Sequence, residues 1–231
     1  MRRSKLYKSQ VGSFEASARY SVKDALNALK AMPAVKFDQT VEAAFRLGID
    51  PRKSDQNVRG AVALPSGTGK SVRVAVVCDG PQADAAKAAG ADFVGYEDLV
   101  EQIKNGWQDF DILIATPNAM KLVRPLGRQL GPRGLMPNPK TGTVTDSVDF
   151  AVKEAKAGRV EFRADKGGCV HVPFGKMSFT AEALEANLRV IIDALLKARP
   201  SSTKGAYMLG CTISATMTPG IRLNSKELAG E

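Results

Sequence analysis

Residues 72–116 read VRVAVVCDGPQADAAKAAGADFVGYEDLVEQIKNGWQDFDILIAT, and their rhythm is that of strand and helix in turn. Positions 72–78 form a valine-rich run, and 81–90 open with Pro81 and continue in alanine, as a helix does when proline occupies its first turn. A short strand at 92–95 follows. Positions 96–106 then carry Leu99, Val100 and Ile103 at helical spacing, and 111–116 make a further apolar strand. Short connections between alternating strands and helices imply a parallel sheet covered on both faces, the Rossmann-like class.

On either side of this segment the pattern changes. Ser21 caps a helix that runs to Met32 and stops at Pro33, after which Val41, Ala43, Phe45 and Leu47 alternate as a half-buried strand. Strands are expected at 59–64, 159–164 and 169–174, a helix at 181–198, and a last strand at 206–216. That mix suggests an antiparallel sheet backed by two helices. Turn residues bound the middle of the chain: Pro65, Ser66, Gly67 and Gly69 before it, Gly158 after it. Residues 68–158 hold 11 basic and 11 acidic side chains, whereas the flanks together hold 22 and 13. All of the net charge of +9 therefore lies outside the middle. Flanks that share a charge character absent from the centre imply a discontinuous two-domain protein of the α/β (α+β) type. One basic domain is formed by 1–67 with 159–231, and 68–158 is inserted into it as a parallel α/β/α domain.

Composition narrows the function. The chain has 231 residues, enough for two small domains, and its 44% hydrophobic content excludes a disordered basic tail. Three cysteines, Cys78, Cys169 and Cys211, without CxxC spacing, and a single histidine, His171, assemble neither a disulfide framework nor a zinc site. Cys169 and Cys211 read as small buried hydrophobes and the compartment as the cytoplasm. The longest apolar runs, 72–78 and 190–196, are each broken by a charge and are far short of a membrane span. Residues 1–22 carry five basic residues with Glu15 as the only acid, a composition that organelle transit peptides share; the reading adopted is a frayed basic arm.

Two motifs suggest nucleotide chemistry and fail on inspection. Gly67, Thr68, Gly69, Lys70 and Ser71 look like the end of a phosphate-cradling loop, but the glycine required five residues before Gly69 is Leu64, and a strand follows where a helix should. Asp79, Gly80, Pro81 and Gln82, after the first strand of the middle, lack the three-glycine dinucleotide fingerprint. No catalytic triad can be built on His171, so no catalytic residue, cofactor or metal is expected.

The remaining signals favour RNA. Leu126 to Thr145, LGRQLGPRGLMPNPKTGTVT, sets glycines and prolines around Arg128, Arg133 and Lys140, and no acid occurs from Ile112 to Thr145. Long ordered loops of this kind are often functional, and these three cations are possible contacts. Lys36, Phe37 and Thr40 put a cation, a ring and a hydroxyl before the first flanking strand, and Thr212, Ser214, Thr216, Met217 and Thr218 make a hydroxyl-rich strand near the other end. At 6% aromatics, base stacking cannot dominate. Hydroxyls and a few cations suit ribose and phosphate in a folded RNA. The competing classes are a nucleotide-dependent enzyme and a general basic DNA-binding module.

Four stretches carry a resemblance: SDQNVRG at 54–60, LGPRGLMPNPKTGTV at 130–144, AGR at 157–159, and the pair Thr216, Met217. Together they resemble the bacterial L-one family of large-subunit ribosomal proteins over nearly the whole chain. The resemblance implies two domains, the second inserted and Rossmann-like, and a non-enzymatic role with no cofactor. Implied partners are the stalk region of large-subunit rRNA, the exit-site tRNA whose release is assisted, and the protein's own operon mRNA as a target of repression, with the protein a monomer within the ribosome. Carried over by position, it implies RNA contacts at Lys36, Phe37 and Thr40, at Arg163, Asp165, Lys166 and His171, and at Ser214, Thr216 and Met217. Two departures stand out. Thr218 occupies the place of a usual glycine, which would give RNA room to approach the backbone, and Ala164 that of an asparagine.

Overall fold

The computed structural model describes residues 3–33 and 35–224, without the side chains of Ser54 and Lys140. It divides into two compact units, one made of the residues up to Gly69 and from Val160 onward, the other of Lys70–Arg159. The strands in chain order are β1 (Thr40–Leu47), β2 (Arg59–Ala63), β3 (Val74–Val77), β4 (Phe93–Gly95), β5 (Ile112–Ala115), β6 (Arg159–Arg163), β7 (Cys169–Lys176), β8 (Met208–Ala215) and β9 (Ile221–Leu223).

In the first unit the order β7-β1-β8-β9 forms an antiparallel sheet. Period-two alternation sends Val41, Ala43, Phe45 and Leu47, Val170, Val172 and Phe174, and Cys211, Ile213 and Ala215 to one face. Two helices cover that face. Val22–Ala31 contributes Ala25, Leu26 and Leu29, and Ala181–Lys197 contributes Leu184, Leu188, Ile191 and Leu195. Each begins where a hydroxyl satisfies a free backbone donor: Ser21 accepts from the Asp24 N–H and Thr180 from the Ala183 N–H, both at 3.2 Å. Full burial of each leucine or isoleucine here stabilises the unit by roughly 1.5–3 kcal/mol.

The second unit is a parallel sheet of order β4-β3-β5, with its first strand at the centre. Val74, Val76 and Ile114 pack against the helices Pro81–Ala88 and Val148–Ala157. Ala75, Val77, Leu113 and Ala115 pack on the other face against Leu99 and Ile103 of the Glu97–Lys104 helix and against Val123, Leu126 and Leu130. The mixed α/β class expected from the sequence is thus the class found.

Four local readings need correction. The N-terminal arm contains a helix, Lys5–Gly12, started by the Ser4 hydroxyl, which accepts from the Tyr7 N–H at 3.2 Å. The strand expected to be last is followed by β9, which pairs with β8 and buries Ile221 and Leu223. Strands β2 and β6 form a separate pair and do not extend the main sheet. Cys169 is only partly buried, because it shares the parity of His171 rather than of Val170. No helix among the described residues is long and apolar enough to cross a membrane, and no cluster among them could hold a metal ion.

Candidate nucleic-acid interface

The face of the main sheet opposite its helices is built by the residues that alternation leaves outside. Thr40, Glu42, Ala44 and Arg46 come from β1, Cys169, His171 and Pro173 from β7, Thr212 and Ser214 from β8, and Arg222 from β9. Register sets them in rows. His171 lies opposite Ala44, Ala44 opposite Thr212, and Thr212 opposite Arg222; the next row is Pro173, Glu42 and Ser214. The side chains of Thr212, Ser214, His171 and Arg222 have no hydrogen bond or ion pair within the described residues. Arg222 was missed in the sequence, where its strand was not recognised.

At one end of this face, backbone and hydroxyl groups interlock. Thr216 Oγ1 accepts from the Thr40 N–H at 3.2 Å, and the Thr216 N–H donates to the Thr40 carbonyl at 3.1 Å. The buried Gln39 side chain accepts from the Met217 N–H at 2.8 Å, and Asp38 accepts from both the N–H and the hydroxyl of Ser178. These bonds hold Phe37, 53% exposed, and Met217, 52% exposed, in solvent on tied segments. Lys36 is exposed and unpaired within the described residues.

A bulge adds a second cation. The β1–β7 register passes from Val41↔Gly175 to Glu42↔Pro173, so Phe174 has no partner of its own. Regular alternation from Val170, Val172 and Phe174 would turn Lys176 inward. The extra residue reverses the parity, and Lys176 Nζ donates to Thr40 Oγ1 at 3.0 Å. Glycine suits the bulge because a Cβ on Gly175 would lie 2.6 Å from Leu184 Cδ2. Gly175 inside a strand was the available signal for Lys176.

Arg163, Asp165 and Lys166 are not at this end. They sit beside the opposite end of β7, six residues away along β1, about 20 Å at ~3.3 Å per residue. Asp165 Oδ1 accepts from the N–H of Gly167 at 2.8 Å and of Cys169 at 2.7 Å. The Cys169 and Gly167 N–H groups, with the charge of His171, hold its carboxyl below the ordinary carboxylate range. Asp165 therefore shapes the turn that presents Lys166. The Leu47 N–H donates to the Gly168 carbonyl, the Gly48 N–H to the Tyr207 carbonyl, and Gln56 links the Asp50 N–H to the Ser202 carbonyl. Loops 48–56, 164–168 and 199–207 are thereby drawn together, and they carry Arg52, Lys53 and Lys204, exposed and without ion pairs within the described residues. Sequence reasoning named none of these three, since their neighbourhood is made only by pairing across the sheet.

The remaining motifs have structural roles. Asn187, fully buried, accepts from the Ser66 N–H and donates to the carbonyls of Gly67 and Phe174 at 3.0 and 2.8 Å, which fastens Ser66 and Gly67, where the GTGKS stretch begins, to the core of the first unit. In the glycine and proline block, Thr143 Oγ1 accepts from the Asn138 N–H at 2.8 Å, and Thr141 and Thr143 are buried. Arg159 pairs with Glu154 at 2.7 Å and donates to the Thr141 carbonyl, lying where a side chain on Gly142, at φ +67°, would stand. Arg128 and Arg133 are exposed in the second unit, and the side chain of Lys140 lies outside the described residues.

With this architecture in view, the comparison with known proteins is decisive: the model of the ribosomal protein L1p/L10e family matches residues 29–219. The chain belongs to that family. It is 56% identical over 227 residues to the large ribosomal subunit protein uL1 of Saccharophagus degradans, covering 98% of this chain and 97% of that one. It is 54% identical over 226 residues to the protein of the same name from Methylobacillus flagellatus, with 98% of each covered. Members of this L1p/L10e family are structural proteins of the ribosome and not enzymes. Thr218, set against the usual glycine of the family, has a role of its own: its Oγ1 accepts from the Ala215 N–H at 2.8 Å and its N–H donates to the Ala215 carbonyl at 3.0 Å. No described non-glycine residue has positive φ, so threonine is held there without backbone strain.

Proposed function

We propose that the chain is a constituent of the large subunit of the cytoplasmic ribosome, and that it binds the stalk region of large-subunit rRNA through the outward face of the β7-β1-β8-β9 sheet. The observation that carries this reading is a sheet face offering free hydroxyls and unpaired cations, in a unit with 21 basic and 13 acidic residues. Free Thr212 and Ser214 hydroxyls suit ribose; Lys36, and Lys176 beside Thr40, suit phosphate; Phe37 and Met217 offer apolar surface to a base or sugar. His171 stands midway along the face. On this reading the RNA-binding domain is 1–67 with 159–231, and 68–158 is an insertion whose Arg128, Arg133 and Lys140 are accessory contacts.

The two ends, about 20 Å apart, lie within the reach of one folded RNA. The end with Thr40, Thr216 and Met217 takes the stalk rRNA and, when the protein is in excess, its own operon mRNA. The end with Arg163 and Lys166, joined by Arg52, Lys53 and Lys204, extends the same rRNA contact; the exit-site tRNA is a further partner whose release the protein assists, acting as a single copy. The test is a titration of the full chain with a stalk rRNA fragment, a DNA copy of it and an unrelated RNA duplex at two salt concentrations. The rRNA fragment should bind most tightly at both. Equal affinity for the DNA copy would reduce the site to an electrostatic patch and refute the reading.

A further inference from the structure

The second unit carries a groove that shares only Arg128 with the proposed RNA contacts. It lies between the Glu97–Lys104 helix and residues 122–129 and has a volume of about 480 Å³, within the range of ligand-binding clefts. The helix lines it with Glu97, Val100, Glu101 and Lys104, spaced so that all four share one face. Leu122, Leu126 and Arg128 line it from the other side, and Gln129 Nε2 donates to the Lys104 carbonyl at 3.3 Å, tying the two together. None of the four charged side chains has an ion pair within the described residues, although both signs are present in one groove.

We propose that this groove docks a short amphipathic helix of a partner protein. Leucine-like side chains of that helix lie on Val100, Leu122 and Pro125, basic residues face Glu97 and Glu101, and an acidic residue faces Lys104 and Arg128. Charge complementarity selects this occupant. Opposite charges left unpaired beside apolar surface are satisfied together by a partner that carries both signs around an apolar stripe. The lining disfavours RNA, because two carboxylates one turn apart repel phosphate and no aromatic ring is present for a base to stack on. Length favours a helix of about two contacting turns, since the eight-residue wall is ~12 Å long, and a groove between helical segments accepts the ridge of another helix.

The experiment uses the full chain, isotope-labelled, with a synthetic helical peptide of about four turns as the probe. The peptide carries leucines at i, i+3, i+4 and i+7, lysines flanking one end of that stripe and glutamates the other; a second version has glutamate at every charged position. The lysine-bearing peptide should shift the amide signals of 97–104 and 122–129 saturably and bind about tenfold more tightly than the all-glutamate version. Glu97→Lys with Glu101→Lys, both at exposed positions, should reverse that preference while the rest of the spectrum is unchanged. The proposal is overturned if neither peptide produces saturable shifts by about 1 mM, if the double substitution leaves the preference as it was, or if a short single-stranded RNA shifts the same amides at lower concentration than the peptide.

Discussion

Replacing Thr216 with valine isolates a hydroxyl without changing charge, volume or β-branching. In the free protein Thr216 Oγ1 accepts from the Thr40 N–H at 3.2 Å, but Thr216 is exposed, so water can replace the hydroxyl and stability should fall by less than about 1 kcal/mol. Once RNA covers this end of the sheet, water no longer reaches the Thr40 N–H, and a ribose hydroxyl directed at Thr216 loses its partner too. Leaving such groups unsatisfied costs about 1–3 kcal/mol, or about 5- to 150-fold in affinity at 1.4 kcal/mol per decade. The assay is affinity for the stalk rRNA fragment at several salt concentrations, alongside thermal unfolding. Thr216→Val should lower the line of log affinity against log salt with its slope intact, whereas Lys36→Ala should flatten that line by roughly one phosphate equivalent. A changed slope for Thr216→Val, or an equal loss for a DNA copy lacking the 2′-hydroxyl, would refute ribose recognition by this hydroxyl.

Thr218→Gly should lower stability by about 1–2 kcal/mol through loss of the Ala215 N–H partner and added chain entropy, yet leave RNA affinity unchanged or tighter; parallel unfolding and binding curves check this, and a large affinity loss would contradict it. Burial pushes the Cys211 thiol up to about 12 and raises that of Cys78, while Cys169 is partly exposed. A thiol reagent should therefore modify one cysteine rapidly in the native protein and all three after denaturation, with mass spectrometry placing the fast site at Cys169. The Asp165 carboxyl is held below its reference value of 3.8, so the order it gives the 165–168 turn is fully present above that pH and is lost as pH falls through the lower folded value. Amide signals of Gly167 and Cys169 should report this transition, and Asp165→Asn should abolish it.

Much of this molecule is legible locally. Alternation at Val41, Ala43, Phe45 and Leu47, the serine cap of the Val22–Ala31 helix and the valine-rich β3 each follow from neighbours within a few residues, because side-chain period and capping are short-range effects. The imbalance of charge between the middle and the flanks is likewise a property of the chain itself. The candidate residues came from the residue types near both chain ends and from a family resemblance, and that could say nothing of their arrangement.

Pairing decided the rest. A period of two states which face a residue occupies but not which strand lies beside it, so the order β7-β1-β8-β9, the separate β2 and β6 pair and the addition of β9 depended on contacts between distant segments. The bulge at Phe174 likewise exists only against β1, and it alone turns Lys176 to the outer face beside Thr40. Register, finally, set Arg163, Asp165 and Lys166 about 20 Å from Thr40 and Thr216, dividing into two ends a set of residues that the sequence presents as one list. Hydrogen-bonded pairing is satisfied by any backbone donor and acceptor, and it is the burial of one complete sheet face that selects a single register from the many that backbone chemistry allows.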